Sequence, residues 1–410
     1  MRRSSRQIRK AVVLVAAAAV GVVVACGAAN AASAPVVKAL VGGTLVDGTG
    51  SAPVKDAVVV IREGRIACAG TRRACPVPAG AEVLDVKDSW VMPGLIDAHV
   101  HLSQSGWVDS HPDSLDVRDR YSYEQVQADL RAHPEPFLRS FLCSGVTAVF
   151  DMGGYTWIWD LRSRTAANPD APHVAAVGPL LSVRDYWLNQ PAERQFITMT
   201  DEKTVRADVR YLAANRTDAV EVWLAPTKDQ RSEEVFVKVR AAGDEAHRFG
   251  LPLIADATVL RAAKDALQAG ANVLAHGVID RPVDAEFIML AKQNGTIYCP
   301  TLTLFSGFAR LYEAVATRKP PVVDDPNGCV DATTRAHVAE TASLGTGLVS
   351  SKRVEGSKAF LARTQASPAP TSRPSSQPES PWRWERTPGT RSPFMGPRYT
   401  PRWRRCRRAG

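Results

Sequence analysis

His99 and His101 stand two residues apart, and this spacing is the first sign of chemistry in the chain. Side chains at i and i+2 of a strand point to the same face. The pair follows an apolar run, Leu95-Ile96, which opens after the turn signal Pro93-Gly94. The stretch from Leu95 to Leu102 therefore reads as a buried strand that projects two imidazoles together from its end. That is a metal-ligand arrangement. An isolated pair of this kind is more often a surface or core feature, so its meaning depends on the elements around it.

Those elements fall into three regions. From Val36 to about Leu84 the chain is β-rich: Val37 to Val41, Ala57 to Ile61 and Arg65 to Ala69 read as strands, with a hairpin turn at Glu63-Gly64. From Leu95 onward, short apolar runs alternate with helical stretches, the pattern of βα units. The strands are expected at Leu95, Gly145–Phe150, Val174–Leu181, Ala219–Leu224, Pro252–Ala255, Val273–His276 and Thr296–Leu304. Helices are expected at Tyr123–Cys143, interrupted near His133-Pro134, and at Glu202–Asn215, Glu233–Phe249, Leu260–Ala269, Asp284–Gln293 and Ser351–Ala366. Seven strands are one fewer than an eight-stranded barrel needs. From Ser367 to Gly410 there is no Val, Ile or Leu, and the segment is dense in Pro, Arg, Ser and Trp. It cannot bury enough apolar surface to offset its ordering entropy and is expected to be disordered. Its bias is that of a GC-rich gene read out of frame.

The N-terminus has the pattern of an export signal. Arg2, Arg3, Arg6, Arg9 and Lys10 precede an apolar run from Ala11 to Ala25. Ala29-Asn30-Ala31 resembles a signal-peptidase site, and Val23-Val24-Ala25-Cys26 resembles a lipobox that would attach Cys26 to a membrane. The lipobox lacks its usual Leu, which favours simple export. The expected divisions are a signal segment 1–34, a β-sandwich 35–92, a barrel 93–366 and a tail 367–410. Export implies an oxidising compartment, either the bacterial periplasm or the extracellular space, in which Cys68 and Cys75 could close a short disulfide loop. Cys143, Cys299 and Cys329 have no metal-site spacing. The formal charge of +9 on 410 residues owes much to the two ends, and no nucleic-acid-binding motif accompanies it. Neither a Gly-x-Ser-x-Gly turn, a P-loop nor a dinucleotide-binding turn is present.

The run Pro93-Gly94-Leu95-Ile96-Asp97-Ala98-His99-Val100-His101 resembles the signature of the amidohydrolase superfamily, and more particularly its imidazolonepropionase- and prolidase-like branch. The resemblance extends from about Val36 to Ala366. It implies an α/β chain with a (β/α)8 TIM-type barrel, incomplete here, preceded by a small β-sandwich. It also implies a divalent metal at the C-terminal ends of the barrel strands. Zn is the family's usual ion, Mn or Fe are alternatives, and one or two ions are bound. His99 and His101 match the first-strand ligands. His276 in Leu274-Ala275-His276-Gly277, following Ala269-Gly270, matches the strand-six ligand. Relatives carry Lys at Glu221 and His at Asp256. Both replacements are carboxylates that can bind a hard ion, and together they give the site Mn or Mg character. The strand-eight Asp, the family's general base, is not found. Leu344-Gly345-Thr346-Gly347 has the Gly-Thr of that motif without its Asp, and it precedes the last helix, so it is not taken as the equivalent. His111, His133, His173, His247 and His337 read as structural or solvated.

The implied activity is hydrolysis of a C–N bond in a small amide, cyclic amide or dipeptide-like substrate by metal-activated water. The other class of reading is an inactive remnant of the same fold, or a ligand-binding protein built on it.

Overall fold

The computed structural model describes residues 37–185, 189–225 and 232–366, together with two short strands further on. The expected signal segment with Cys26 lies outside the described residues, as does most of the tail. The chain divides into two compact units between Pro93 and Gly94.

In the first unit, β1 (Val37–Val41), β3 (Ala57–Arg62), β4 (Arg65–Thr71) and β5 (Glu82–Asp85) form one sheet in the order β4-β3-β1-β5. Thr44–Leu45 (β2) and Trp90–Val91 (β6) pair as a second, parallel sheet. Alternation along β3 serves two cores. Val58 and Val60 pack with Ala39 and Cys75, while Ala57 and Val59 pack with Leu45 on the other face. Glu63 and Gly64 both have positive φ, 51° and 71°, as a tight two-residue hairpin between right-twisted strands requires. Cys68 and Cys75 are disulfide-bonded.

The second unit is a run of βα units. Its strands are β7 (Leu95–Val100), β8 (Val146–Asp151), β9 (His173–Ala176), β10 (Leu180–Ser182), β11 (Phe196–Thr198), β12 (Val220–Trp223), β13 (Leu253–Asp256), β14 (Val273–Ala275) and β15 (Ile297–Cys299). Its helices are α1 (Tyr123–Ala132), α2 (Glu135–Cys143), α3 (Trp157–Thr165), α4 (Glu202–Ala214), α5 (Ser232–Arg248), α6 (Leu260–Gln268), α7 (Ala285–Asn294), α8 (Leu304–Thr317), α9 (Ala332–Glu340) and α10 (Ser351–Ala366). The strands pair parallel in two sheets, β7-β8-β9 and β11-β10-β12-β13-β14-β15. In the tail, Trp382–Glu385 (β16) and Arg402–Arg405 (β17) pair antiparallel, where the sequence had suggested disorder.

The strand expected over Val174–Leu181 is broken into β9 and β10. The break falls at Val177-Gly178-Pro179, where Gly178 has φ +73° and a Cβ would fall 2.4 Å from the Trp159 indole. The two sheets meet there. The Asp218 amide donates to the Ala176 carbonyl at 3.0 Å, and the Thr217 hydroxyl donates to the Val177 carbonyl at 2.7 Å. With β9 and β10 counted as one position, and β11 set aside because it pairs only with β10 at the sheet edge, seven parallel positions of a barrel are filled. No eighth strand lies between β15 and β7 among the described residues.

The side chains sort by the period of two. Met152, Val177, Ala219, Ile254 and Ala275 form an inner cluster, while the larger cluster, with Leu181, Val222, Leu253 and Leu274, packs under the helices. Ala219, Glu221 and Trp223 therefore share the inner face of β12, and Ile254 and Asp256 share that of β13. A third cluster joins the loop after β7 to the last helices: Trp107, Val108, Leu115 and Val117 pack with Tyr312, Val315, Leu344 and Val349. Residues 346–348 form a 3-10 turn beside this cluster, not a strand end. Cys143, at the end of α2, is disulfide-bonded to Cys329 in the α8–α9 loop.

On the outer surface, buried Glu245 of α5 takes ion pairs from Arg210 (2.9 Å), Arg248 (3.2 Å) and Arg206 (3.5 Å). Burial pushes its pKa up, but the arginines more than offset that and hold it below the usual value. A depressed carboxyl pKa contributes stability that is present above the unfolded value near 4.3 and is lost as pH falls below it. Glu245→Gln is expected to lower unfolding stability by about 1–3 kcal/mol at neutral pH. In urea titrations, its difference from wild type should narrow from pH 6 to pH 3.

Candidate metal centre

Strand β7 delivers His99 and His101 to the barrel interior. His101 Nδ1 lies 2.8 Å from the Gly153 carbonyl. A carbonyl only accepts, so Nδ1 carries the hydrogen and Nε2 keeps its lone pair. The ring of His99 lies 5.3 Å from that of His101 and 4.8 Å from that of His276, measured between centroids. His276 stands just past the end of β14, not within the strand, and its φ of +67° turns the ring back over the strand ends. Its Nδ1 is 2.7 Å from the Thr301 hydroxyl, and its Nε2 is 3.4 Å from Asp256 Oδ2. Asp256 ends β13, and Glu221 sits on the neighbouring β12 at 2% exposure.

Burial dominates the electrostatics. It pushes His99 down to a pKa of about 3, with smaller contributions from His101 and His276. Burial also raises Glu221 well above the ordinary carboxyl value, and the charges of Asp256 and Asp151 add to the rise. Two buried atoms at this site lack a hydrogen-bond partner, His99 Nδ1 and Glu221 Oε2. A buried unsatisfied polar atom costs about 1–3 kcal/mol. Three imidazoles, two carboxylates and two unpartnered donor atoms match the chemistry of a divalent ion. The donor atoms are not drawn to a common point: among the described residues, no three His, Cys, Asp or Glu side chains are spaced to enclose an ion.

The amidohydrolase family model matches residues 90–315, which include all five of these residues. The chain belongs to the amidohydrolase family. An imidazolonepropionase of Caulobacter vibrioides (strain NA1000 / CB15N) is 36% identical over 135 residues, covering 28% of this chain and 33% of that one. A dihydroorotase of Pelotomaculum thermopropionicum is 49% identical over 66 residues, covering 16% and 14%. The chain thus spans a third or less of the length of these curated relatives. Among solved structures, a prolidase complexed with N-methylphosphonate-L-proline is similar at TM-score 0.53 and 21% identity, covering 80% of this chain and 76% of that one. Ochratoxinase of A. niger is similar at TM-score 0.53 and 17% identity, covering 80% and 74%. At these identities the likeness is one of fold.

Within this amidohydrolase site, the structure brings His99, His101, His276, Asp256 and Glu221 together. Of the remaining histidines, His111 is closer to the site than its sequence context suggests. Burial lowers its pKa, and it feels the charge of His101. His337 is also less solvated than expected: it packs on Trp107 and Tyr121 and lies 3.6 Å from buried Asp109. His247 is exposed and bonds Asn272, His133 ends α1, and His173 opens β9.

Two site residues escape the sequence reading. Asp151, fully buried at the end of β8, accepts from the Leu102 amide at 2.6 Å and the Gly153 amide at 3.0 Å. It pins the backbone on both sides of His101 and so aims the Gly153 carbonyl at that ring. An acid at the C-terminal end of a barrel strand, followed by Gly153-Gly154, was a usable signal. The second is Thr301, for which the sequence offers none.

Asp151→Asn replaces one acceptor with an amide donor facing a backbone N–H. It is expected to lower stability by about 2–4 kcal/mol in urea unfolding and to shift the His101 ring resonances. His99 should remain neutral from pH 8 to pH 5. In ¹⁵N-histidine NMR it should titrate with a midpoint near 3, and a midpoint near 6.5 would refute the burial argument. Unfolded histidine takes its proton near 6.5, so this residue makes stability fall as pH drops through that value towards 3, and His99→Asn should flatten the slope.

Proposed function

We propose that the chain is a metal-dependent hydrolase of C–N bonds in small amides, cyclic amides or dipeptide-like substrates. The observation that carries this reading is the His99 ring, its buried Nδ1 without a hydrogen-bond partner, set between His101 and His276 with the carboxylates of Asp256 and Glu221 nearby. Family membership supports it, and so do the activities for which its relatives are named, imidazolonepropionase and prolidase.

His99, His101 and His276 would hold the ion, with Glu221 and Asp256 as carboxylate ligands. Zn is first by family, with Mn or Fe as alternatives. When bound, a divalent ion lowers the pKa of water and polarises a carbonyl. The chain's own residues contribute the rest. The Gly153 carbonyl fixes the His101 tautomer so that the Nε2 lone pair faces inward. Burial keeps His99 neutral and therefore able to donate a lone pair across the physiological range. The two carboxylates balance a cation's charge.

A second reading, the fold retained without catalysis, is favoured by the carboxylates at the Lys and His positions and by donor spacing that encloses no ion. Export through the N-terminal segment is proposed as well, supported by the two disulfides.

Elemental analysis of protein lacking residues 1–34 decides between these readings. About one or two equivalents of Zn, Mn or Fe are expected, the range such metal sites hold. The metal should be lost in His99→Ala/His101→Ala, with chelator-sensitive hydrolysis of prolyl dipeptides, N-acyl amino acids or cyclic amides. Absence of both metal and activity would establish the second reading.

A further inference from the structure

We propose that Thr301 is a positioning residue for His276, its hydroxyl holding Nδ1 in either tautomer of the ring. The proposal rests on the metal-centre reading for one of its two states and stands without it for the other. His276 has a polar neighbour at each nitrogen: Nδ1 is hydrogen-bonded with Thr301 Oγ1 at 2.7 Å, and Nε2 lies 3.4 Å from Asp256 Oδ2. A neutral imidazole carries one hydrogen, so these contacts cannot both be donations from the ring. A hydroxyl can donate or accept, whereas an ionised carboxylate only accepts. With the hydrogen on Nε2 and turned to Asp256, the Thr301 hydroxyl donates to Nδ1. With Nε2 committed as a lone-pair donor to an ion, Nδ1–H donates to Thr301, and the hydroxyl has only to rotate. Gly153 does half of this for His101, since its carbonyl supports one tautomer alone.

The backbone is shaped for the contact. His276 and Thr301 both sit at positive φ, +67° and +44°, which side chains with a Cβ rarely adopt and which for a β-branched residue is an outlier. Strained residues persist where their surroundings over-determine them. Here the turns after β14 and β15 are fastened together. The Val278 amide donates to the Tyr298 hydroxyl at 2.9 Å, and the Leu304 amide to the Thr301 carbonyl at 3.1 Å. Gly277 leaves room for the Pro300 carbonyl, which a Cβ there would meet at 3.4 Å.

The test compares wild type, Thr301→Val and Thr301→Ser in the chain lacking residues 1–34. Zn(II) affinity is measured against a chromophoric chelator, and the His276 tautomer is read by ¹⁵N NMR in the metal-free protein. Thr301→Val keeps the shape and loses the hydroxyl. It is expected to weaken Zn binding by about 10–100-fold, the range for lost partners of a ligating His, and to move the His276 Nδ1 resonance, because that nitrogen loses its partner in either tautomer. Thr301→Ser should rescue both. Equal Zn affinity and an unchanged Nδ1 resonance in Thr301→Val would overturn the proposal, as would a Thr301→Ser variant as impaired as Thr301→Val, which would mean that a hydroxyl at this position does not by itself hold the ring. If wild type takes up no Zn, the metal-centre reading fails, and the Nδ1 resonance comparison then decides the positioning role by itself.

Discussion

Strand register is the constraint on which this site depends. A slip of one residue along β7, β12 or β13 would turn His99, Glu221 or Asp256 from the barrel interior to the helix-covered face. The register is held by apolar neighbours on the same strands: Val220 and Val222 flank Glu221 on the outer face, and Leu253 and Ala255 do the same beside Ile254 and Asp256. The polar residues thus do not choose their own position. Apolar burial outside the barrel determines which side chains face inward, and the inward set includes groups that are costly to bury.

That cost is visible in the charges. The charges of Asp256 and Asp151 add to burial in disfavouring the ionisation of Glu221, and burial keeps the His99 imidazole from taking up a proton to compensate. Asp151 is relieved by two backbone amides. Glu221 has no such relief at Oε2. A bound cation would offset the charge of these carboxylates.

The sequence shows the scaffold better than it shows the supports. The His99/His101 pair, the Pro93-Gly94 turn and the alternating runs were legible because each rests on local spacing. The β9–β10 break was not, because it follows from the Trp159 ring lying against Gly178, 19 residues away in the chain. Asp151 and Thr301 were missed for the same reason. Their roles arise from contacts with Leu102 and His276, which only the fold brings near, although the place of Asp151 at a strand end was a usable signal. The helices after β15 were only partly foreseen, since their apolar partners, Trp107 to Val117, lie some two hundred residues earlier.

The Cys143–Cys329 bond closes a covalent ring with a sequence separation of 186. Glu221, Asp256 and His276 lie inside the ring, and His99 and His101 outside it. In the chain-entropy account a ring of this size removes roughly 5 kcal/mol of unfolded-state freedom. The carboxylate-bearing half of the barrel is therefore pre-compacted even when denatured, while the strand with the two neighbouring imidazoles is not. In a reducing compartment that difference would vanish, and the last helices would be held to the rest of the unit by packing and by side-chain hydrogen bonds such as that from Trp107 Nε1 to Thr341.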